Sequence, residues 1–219
     1  AVSANVKGDA GDVTQQKQSD IPENETDVSA SQPDTAEIKP DAPQDDSQAP
    51  EDNDAVSFMP LAEKGDVVSF VEVSRYMGLW YEIATTPSFQ QSSCSNTQAE
   101  YTFNEAMGWV DVVNTCYVGN PPGSAQQIQG RAELVDLETQ AKLKVIFFGQ
   151  VAPYWVVTLD GSEGDEPYQW VVVSVPGKQT MWLLSRTKQM TEEQRSAIEA
   201  HLTERGFPVD TLIDTPQGQ

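Results

Sequence analysis

Apolar and polar residues alternate in short runs between residues 79 and 186. Alternation with a period of two is typical of β-strands that cover a core with one face, and turn residues separate the runs. The pattern predicts eight strands, over residues 79–86, 97–103, 109–118, 126–136, 141–149, 154–159, 168–175 and 180–186. Because the connections are short, we expect these strands to pair antiparallel in an up-and-down barrel that leaves no free edge.

The periodicity changes after the last predicted strand. A pair with capping-box spacing, two apolar residues four positions apart and a terminating glycine follow in order, at Thr191, Gln194, Ile198, Leu202 and Gly206. These signals predict one helix whose apolar stripe packs on the barrel wall. We expect a short ninth strand over residues 207–213 to end the fold.

Three further segments have predicted roles in the barrel. Residues 66–77 carry several apolar side chains and predict a short helical turn that closes one end. Residues 87–95 are mostly polar and predict a loop at the open mouth. The Asn-Pro-Pro-Gly sequence at 120–123 predicts a turn, because proline and glycine favour turn conformations.

The composition of the first 58 residues differs from that of the rest of the chain. They contain 14 Asp and Glu, three Lys, no Trp, Tyr or Cys, and one aromatic residue, Phe58. So little apolar surface does not offset the entropy lost on ordering. We therefore predict a disordered acidic segment over residues 1–58 and one folded domain over residues 59–219.

The net charge of −21 limits the choice of partners. A strongly negative protein repels nucleic acids and anionic membranes, so we expect no nucleic-acid partner. No run of 18 apolar residues occurs, which predicts no membrane-spanning helix. The sequence begins at Ala1 without a leader, and the expectation is that a leader has been removed. An N-terminal lipid anchor is held by a Cys, and position 1 is Ala. Lipid-anchored and peripheral membrane association are therefore kept as alternatives.

The two cysteines, Cys94 and Cys116, lie on neighbouring predicted strands, nearly opposite each other. This position predicts a disulfide across the hairpin, and two buried free thiols are the alternative. A closed loop of this length stabilises a fold by roughly 3 kcal/mol in the chain-entropy model. The disulfide implies an oxidising compartment, so we expect an exported protein that is periplasmic, outer-membrane-associated or secreted.

A closing contact is predicted at one end of the barrel. Gly78 lets the backbone approach where a side chain would collide, and Trp80 follows with a large ring. The last predicted strand ends in Arg186. A guanidinium stacked on the indole would contribute roughly 1 to 2 kcal/mol once it is desolvated.

Three segments in order along the chain resemble the lipocalins. They are Arg-Tyr-Met-Gly-Leu-Trp-Tyr-Glu-Ile-Ala at 75–84, Leu-Lys-Val-Ile-Phe-Phe-Gly at 143–149 and Met-Trp-Leu-Leu-Ser-Arg-Thr at 181–187. They resemble the bacterial outer-membrane lipocalins in particular, with apolipoprotein D as the animal relative. The resemblance covers about residues 67–217. It implies an all-β eight-stranded barrel with a C-terminal helix and short ninth strand, and it implies lipid handling.

Strand periodicity and the lipocalin pattern together select the residues that face the barrel interior. If Trp80 points inward, Glu82 and Ala84 should do so as well. The candidate ligand-binding residues are Glu82, Ala84, Ala99, Tyr101, Val112, Asn114, Ala132, Leu143, Val145, Phe147, Tyr154, Val156 and Trp182. This lining is apolar with a few polar groups, which suits a small amphiphile. The same residues could instead fill the barrel as core, and a buried Glu82 needs a partner.

The expected function is binding and storage or transport of a fatty acid, a lysophospholipid or a similar lipid, in a monomer or homodimer. One alternative is an enzyme in which Glu82 and Tyr101 or Tyr154 act as acid and base. Another is an interaction module with a filled barrel. Catalysis has little support, because His201 beside Leu202 is the sole histidine and no nucleophile, phosphate or metal motif occurs. We expect no catalytic residue, cofactor or metal.

Overall fold

The computed structural model describes residues 55–87, 94–119 and 123–218. Nine strands and two α-helices occur in these ranges. The elements are α1 (Val73–Tyr76), β1 (Gly78–Thr85), β2 (Cys94–Asn104), β3 (Trp109–Val118), β4 (Ser124–Leu134), β5 (Lys142–Phe147), β6 (Gln150–Leu159), β7 (Trp170–Ser174), β8 (Met181–Ser185), α2 (Glu192–Glu204) and β9 (Ile213–Asp214). A 3₁₀ turn, Val209–Thr211, precedes β9.

Strands β1 to β8 close into an antiparallel barrel. Neighbours in sequence pair from β2 through β8, β8 pairs with β1, and β1 pairs with β2 to complete the ring. Strand β9 is added to the end of β1, where Ala84 and Thr85 pair with Asp214 and Ile213. The predicted eight-stranded barrel with a C-terminal helix and a ninth strand is therefore confirmed.

Alternation along the strands produces two apolar cores. The larger core fills the barrel interior and includes Trp80, Val112, Val156, Val171 and Leu184. The smaller core lies between the outer barrel wall and α2, and it includes Val157, Trp170, Val172, Leu183, Ile198 and Leu202. Residues on opposite faces of one strand thus serve different cores, as the period of two requires.

Helix α2 begins and ends as predicted. The hydroxyl of Thr191 accepts a hydrogen bond from the amide of Gln194 at 3.2 Å. Gly206 follows the helix with a φ of 71°. Ile198 and Leu202 are buried against the barrel. The bounds predicted for the ninth strand, 207–213, are wrong: β9 comprises only Ile213–Asp214, because residues 209–211 form a 3₁₀ turn after Pro208.

Strand β6 begins at Gln150, four residues before the predicted start at position 154. Pro153 lies within the added residues and has no amide hydrogen to donate to a neighbouring strand. The part of β6 that pairs with β7 starts only at Trp155. The missing amide hydrogen of Pro153 therefore removes no bond to β7.

The predicted disulfide is present. Cys94 on β2 and Cys116 on β3 are bonded, with their Cα atoms 5.4 Å apart. The bridge joins the ends of these strands that lie away from the β2–β3 hairpin. The alternative of two free thiols is therefore wrong.

The predicted mouth loop at 87–95 falls mainly on residues 88–93, and the predicted turn at 120–123 falls on residues 120–122. Residues 88–93 and 120–122 lie outside the described residues, whereas Cys94 and Ser95 of the predicted loop belong to β2. Residues 1–54 of the predicted acidic segment also lie outside the described residues. Its last residue, Phe58, pairs with Asp160, and its ring packs edge-on against Trp170 and stacks on His201. Among the described residues, no helix is long and apolar enough to cross a membrane.

Candidate ligand-binding site

An apolar cavity of about 40 Å³ lies inside the barrel, near α1 and the β2–β3 hairpin. Its described wall contains no charged side chain. Six of the predicted ligand-binding residues form part of this wall, namely Tyr101, Ala132, Leu143, Val145, Tyr154 and Val156. These six side chains therefore face the barrel interior, as strand alternation predicts.

The other predicted lining residues occupy different positions. Ala99, Phe147 and Trp182 pack at the edge of the interior core, and Val112 is buried within it, but none of them lines this cavity. The side-chain oxygen of Asn114 is buried and has no hydrogen-bond partner in the described part of the chain. These residues lie in the barrel interior, outside the cavity wall.

Ala84 does not face the interior, and its predicted place in the lining is wrong. It is buried in the outer core with Ile198 and Leu202 of α2. The cause is a register shift between Glu82 and Ala84 in the pairing of β1 with β8. A bulge adds one residue and reverses the facing of those that follow, so counting by twos from Trp80 fails at Ala84.

Glu82 is buried and does not line the cavity. Its carboxylate accepts a hydrogen bond from the Thr215 hydroxyl at 2.6 Å. Its backbone carbonyl accepts a bond from the Gln217 amide at 2.7 Å, and that amide also donates to the Thr97 carbonyl. The C-terminal residues therefore hold Glu82 at the place where β1 separates from β2. The expectation that this carboxylate has a partner is confirmed.

The cavity wall also contains residues outside the predicted site. Those that come from the segment around α1 are Val71, Val73, Tyr76 and Met77, and those from the strand ends and turns are Phe103, Gly108, Trp109, Val110, Leu134 and Gln140. Apolar residues at 66–77 signalled that this segment closes the barrel, but no local pattern shows which of them reach the cavity.

Three tyrosine hydroxyls meet within the cavity wall. Tyr76 and Tyr154 place their hydroxyl oxygens 2.7 Å apart, and Tyr101 and Tyr154 place theirs 3.0 Å apart. We call these three residues the tyrosine triad. The rings of Tyr76 and Tyr101 also pack with centroids 5.7 Å apart. The triad is a small polar group in a mostly apolar cavity wall.

Burial keeps the triad protonated. Desolvation raises the pKa of Tyr101 to about 12, and the nearby Glu82 charge acts in the same direction. Desolvation, followed by repulsion from Tyr101, raises the pKa of Tyr76 and of Tyr154 well above 10. The three hydroxyls are therefore neutral hydrogen-bond donors across the physiological pH range.

The barrel is closed beside the triad by the predicted pair. The guanidinium of Arg186 lies 3.8 Å from the centroid of the Trp80 ring. The indole nitrogen of Trp80 donates to the Tyr76 carbonyl at 2.8 Å. Gly78 has a φ of 95°, and a Cβ there would lie 3.4 Å from Arg186. The cation–π closure is therefore confirmed, with Gly78 as the residue that leaves room for it.

The described residues contain no cluster of three or more His, Cys, Asp or Glu side chains that could hold a metal ion. His201 lies outside the barrel on α2. Its ring stacks on Phe58 with centroids 4.4 Å apart. Desolvation lowers the pKa of His201, with a further contribution from the charge of Arg205. His201 therefore has a packing role at the outer core.

The profile of the lipocalin-like domain matches residues 71–217, which is most of the described chain. The chain belongs to the lipocalin family. This lipocalin is 36% identical to temperature-induced lipocalin-1 of Arabidopsis thaliana over 162 residues, which cover 69% of this chain and 82% of the relative. It is 34% identical to the outer membrane lipoprotein Blc of Escherichia coli K12 over 149 residues, with coverage of 67% and 80%.

Solved structures show the same fold at lower sequence identity. Insecticyanin from the tobacco hornworm Manduca sexta superposes with a TM-score of 0.55 at 19% identity, over 75% of this chain and 91% of that protein. The resemblance to lipocalins that the three sequence segments carry is confirmed by the family match and by the identity to the Escherichia coli relative.

Proposed function

We propose that this lipocalin binds a small hydrophobic ligand inside its barrel and stores or transports it. The observation that carries the proposal is an uncharged apolar cavity with three neutral hydrogen-bond donors in its wall. The family is known for binding small hydrophobic ligands, which supports the same conclusion. The ligand classes that we propose are fatty acids, lysophospholipids and comparable lipids, in the maintenance of a membrane.

The size of the cavity limits how such a ligand fits. Each buried methylene contributes about 0.8 kcal/mol to binding. A volume of about 40 Å³ holds only a few heavy atoms, since one water position needs roughly 10 to 15 Å³ of the same measure. A long acyl chain therefore requires interior side chains to move. Phe147 and Trp182 are the candidates, because both are only partly buried at the edge of the core.

The proposal is for a carrier and not for an enzyme. Tyr101 and Tyr154 hold their protons because burial raises their pKa, so neither is a general base near neutral pH. Glu82 is bonded to Thr215 and lies outside the cavity wall. A carrier needs only apolar contact and a few donors, which the cavity has.

The disulfide and one relative support an exported protein. Disulfides persist in oxidising compartments, and the Escherichia coli relative is named an outer membrane lipoprotein. We propose a periplasmic, outer-membrane-associated or secreted location. One chain builds the whole cavity, so a monomer suffices for binding. Thiol alkylation of the protein in its own cells, before lysis, tests the location through the redox state of Cys94 and Cys116.

Titration with a fatty acid that carries an environment-sensitive fluorophore tests the binding proposal. We expect saturable binding with micromolar or lower Kd. The substitution Ala132→Phe fills the cavity from a buried position on β4 and should weaken binding at least about tenfold. The matched control is Ala125→Phe, an exposed position on the same strand, which should leave Kd unchanged.

The small cavity volume favours a second candidate, an interaction module whose barrel is filled by its own side chains. A filled barrel would show no saturable binding of any lipid and no rise in Tm with lipid concentration. A carrier would show both, because a ligand that binds only the folded state stabilises it by mass action.

A further inference from the structure

The tyrosine triad spans the barrel interior from one wall to the other. Tyr101 belongs to β2 and Tyr154 to β6, and three strands separate these two in the sheet. Their side chains therefore meet only across the lumen. Tyr76 reaches the same point from α1 at the end of the barrel. Tyr76 and Tyr101 are each only 6% exposed, so the hydroxyls are removed from bulk water.

The triad has more hydroxyl protons than hydrogen bonds among its members. Three hydroxyls carry three protons, and the described residues provide two hydrogen bonds, Tyr76 to Tyr154 and Tyr101 to Tyr154. Whichever way the two bonds run, one proton remains without an acceptor. A buried donor without a partner costs free energy that an acceptor brought by a ligand would recover. All three tyrosines line the cavity, so the surplus proton is available to a molecule inside it.

The charges around the triad disfavour an anionic acceptor. The guanidinium of Arg186 is the cation at the barrel closure whose charge acts on Tyr76. It is already bonded to backbone carbonyls, those of Arg75, Tyr76, Met77, Leu79 and Tyr168. The negative charge of the Glu82 carboxylate acts on Tyr101 and raises the pKa of its hydroxyl. A ligand carboxylate beside the triad would therefore lose its hydration and meet repulsion, without gaining a free cation.

We propose that the tyrosine triad is a hydrogen-bond donor site for an uncharged acceptor oxygen of the ligand. The ligand class is an apolar molecule with a ketone, aldehyde or ester carbonyl. This inference rests on the proposed function and specifies which end of the ligand enters the cavity. A carbonyl with its neighbouring carbons fits the available volume. Phe103 lines the cavity and is 44% exposed, so it belongs to the part of the wall that faces solvent.

Three matched probes test the proposal on the full chain, each displacing the fluorescent fatty acid. The probes are 2-octanone, its isostere 2-methyl-1-octene, and octanoate. One net hydrogen bond changes affinity by about 2- to 12-fold. We expect 2-octanone to bind more tightly than octanoate. We also expect the ratio of ketone to alkene affinity to be higher by this factor than in a variant without the three hydroxyls, because the cost of removing the ketone from water is the same in both proteins. That variant is the triple substitution Tyr76→Phe, Tyr101→Phe and Tyr154→Phe. The control Tyr117→Phe, outside the triad, should keep the ratio of the unsubstituted protein.

The triple variant is necessary because removing one hydroxyl leaves one surplus proton when Tyr76 or Tyr101 is substituted and two when Tyr154 is substituted. If it does not fold, the infrared carbonyl band of 2-octanone bound to the unsubstituted protein gives an independent answer. A band shifted to lower frequency than in an alkane solvent supports the donor site, and an unshifted band overturns it. A ratio of ketone to alkene affinity that is the same in the triple variant as in the unsubstituted protein also overturns it and leaves the proposed function standing. No displacement by any of the probes, together with no binding of the fluorescent fatty acid, would instead overturn the proposed function.

Discussion

Arg186 and Trp80 form the closed end of the barrel through one stacked contact of 3.8 Å. The Trp80 ring covers one face of the Arg186 guanidinium. The guanidinium nitrogens donate hydrogen bonds to the carbonyls of Leu79 and Met77, at 2.8 Å each. Three chain segments meet here: α1 and β1, which are consecutive early in the domain, and β8, which comes much later. This contact therefore fixes α1, β1 and the end of β8 together beside the tyrosine triad.

The closed end depends on the planar, multiply donating shape of the Arg186 guanidinium, and a lysine substitution tests this. Arg186→Lys should lower the free energy of unfolding by about 3 kcal/mol, because an ammonium keeps the charge but leaves buried carbonyls without donors. Urea denaturation measures the loss. Arg131 offers a matched control, since its guanidinium lies over Trp109 at 4.9 Å with a side chain that is 42% exposed. Arg131→Lys should cost less than about 1 kcal/mol, and equal losses at the two sites would contradict the closing role of Arg186.

Gly78 provides a second test of the same closure. Gly78→Ala should destabilise the protein by about 1 to 3 kcal/mol, because its φ of 95° is strained for alanine and the new Cβ would touch Arg186. Gly108 also has a positive φ, 71°, but nothing lies within 4 Å of its Cβ position. Gly108→Ala should therefore cost only about 1 kcal/mol. A larger loss at Gly108 than at Gly78, in thermal or urea unfolding, would argue against crowding at the closure.

The disulfide should contribute to stability independently of the closed end. Replacing both Cys94 and Cys116 by Ser should lower the free energy of unfolding by roughly 3 kcal/mol. A reducing agent should lower the urea midpoint of the unsubstituted protein to that of the double variant. The midpoint of the double variant should not respond to the reducing agent. A midpoint of the unsubstituted protein that does not respond to reductant would show that the bridge adds no stability.

The stability of the outer core should depend on pH through His201. Burial lowers the pKa of His201 in the folded protein from its ordinary 6.5, so below that value the unfolded chain binds more protons. Stability should therefore be constant above about pH 6.5 and should fall as the pH drops below it. Comparing urea midpoints at pH 7.5 and 5.5 measures the effect. His201→Gln should reduce the difference between the urea midpoints at these two pH values. If the substitution leaves that difference unaltered, groups other than His201 cause the pH dependence.

Local pattern predicted the barrel, the capped helix and six residues of the cavity wall, because these depend on period-two alternation and on nearest neighbours in sequence. It failed at Ala84, where the bulge after Glu82 reverses the facing of β1. The tyrosine triad also escaped prediction. Its hydroxyls meet across the lumen from β2, β6 and α1, and that meeting depends on the curvature and closure of the whole sheet.

Native mass spectrometry of the folded full chain, with a fatty acid, a lysophospholipid or a long-chain ketone added in turn, tests most directly whether the barrel holds a lipid. The expected result is a single adduct of one ligand per chain for at least one of these classes, lost in Ala132→Phe and retained in Ala125→Phe. The unliganded mass alone at every ligand concentration, or adducts that Ala132→Phe leaves unchanged, would contradict binding inside the barrel.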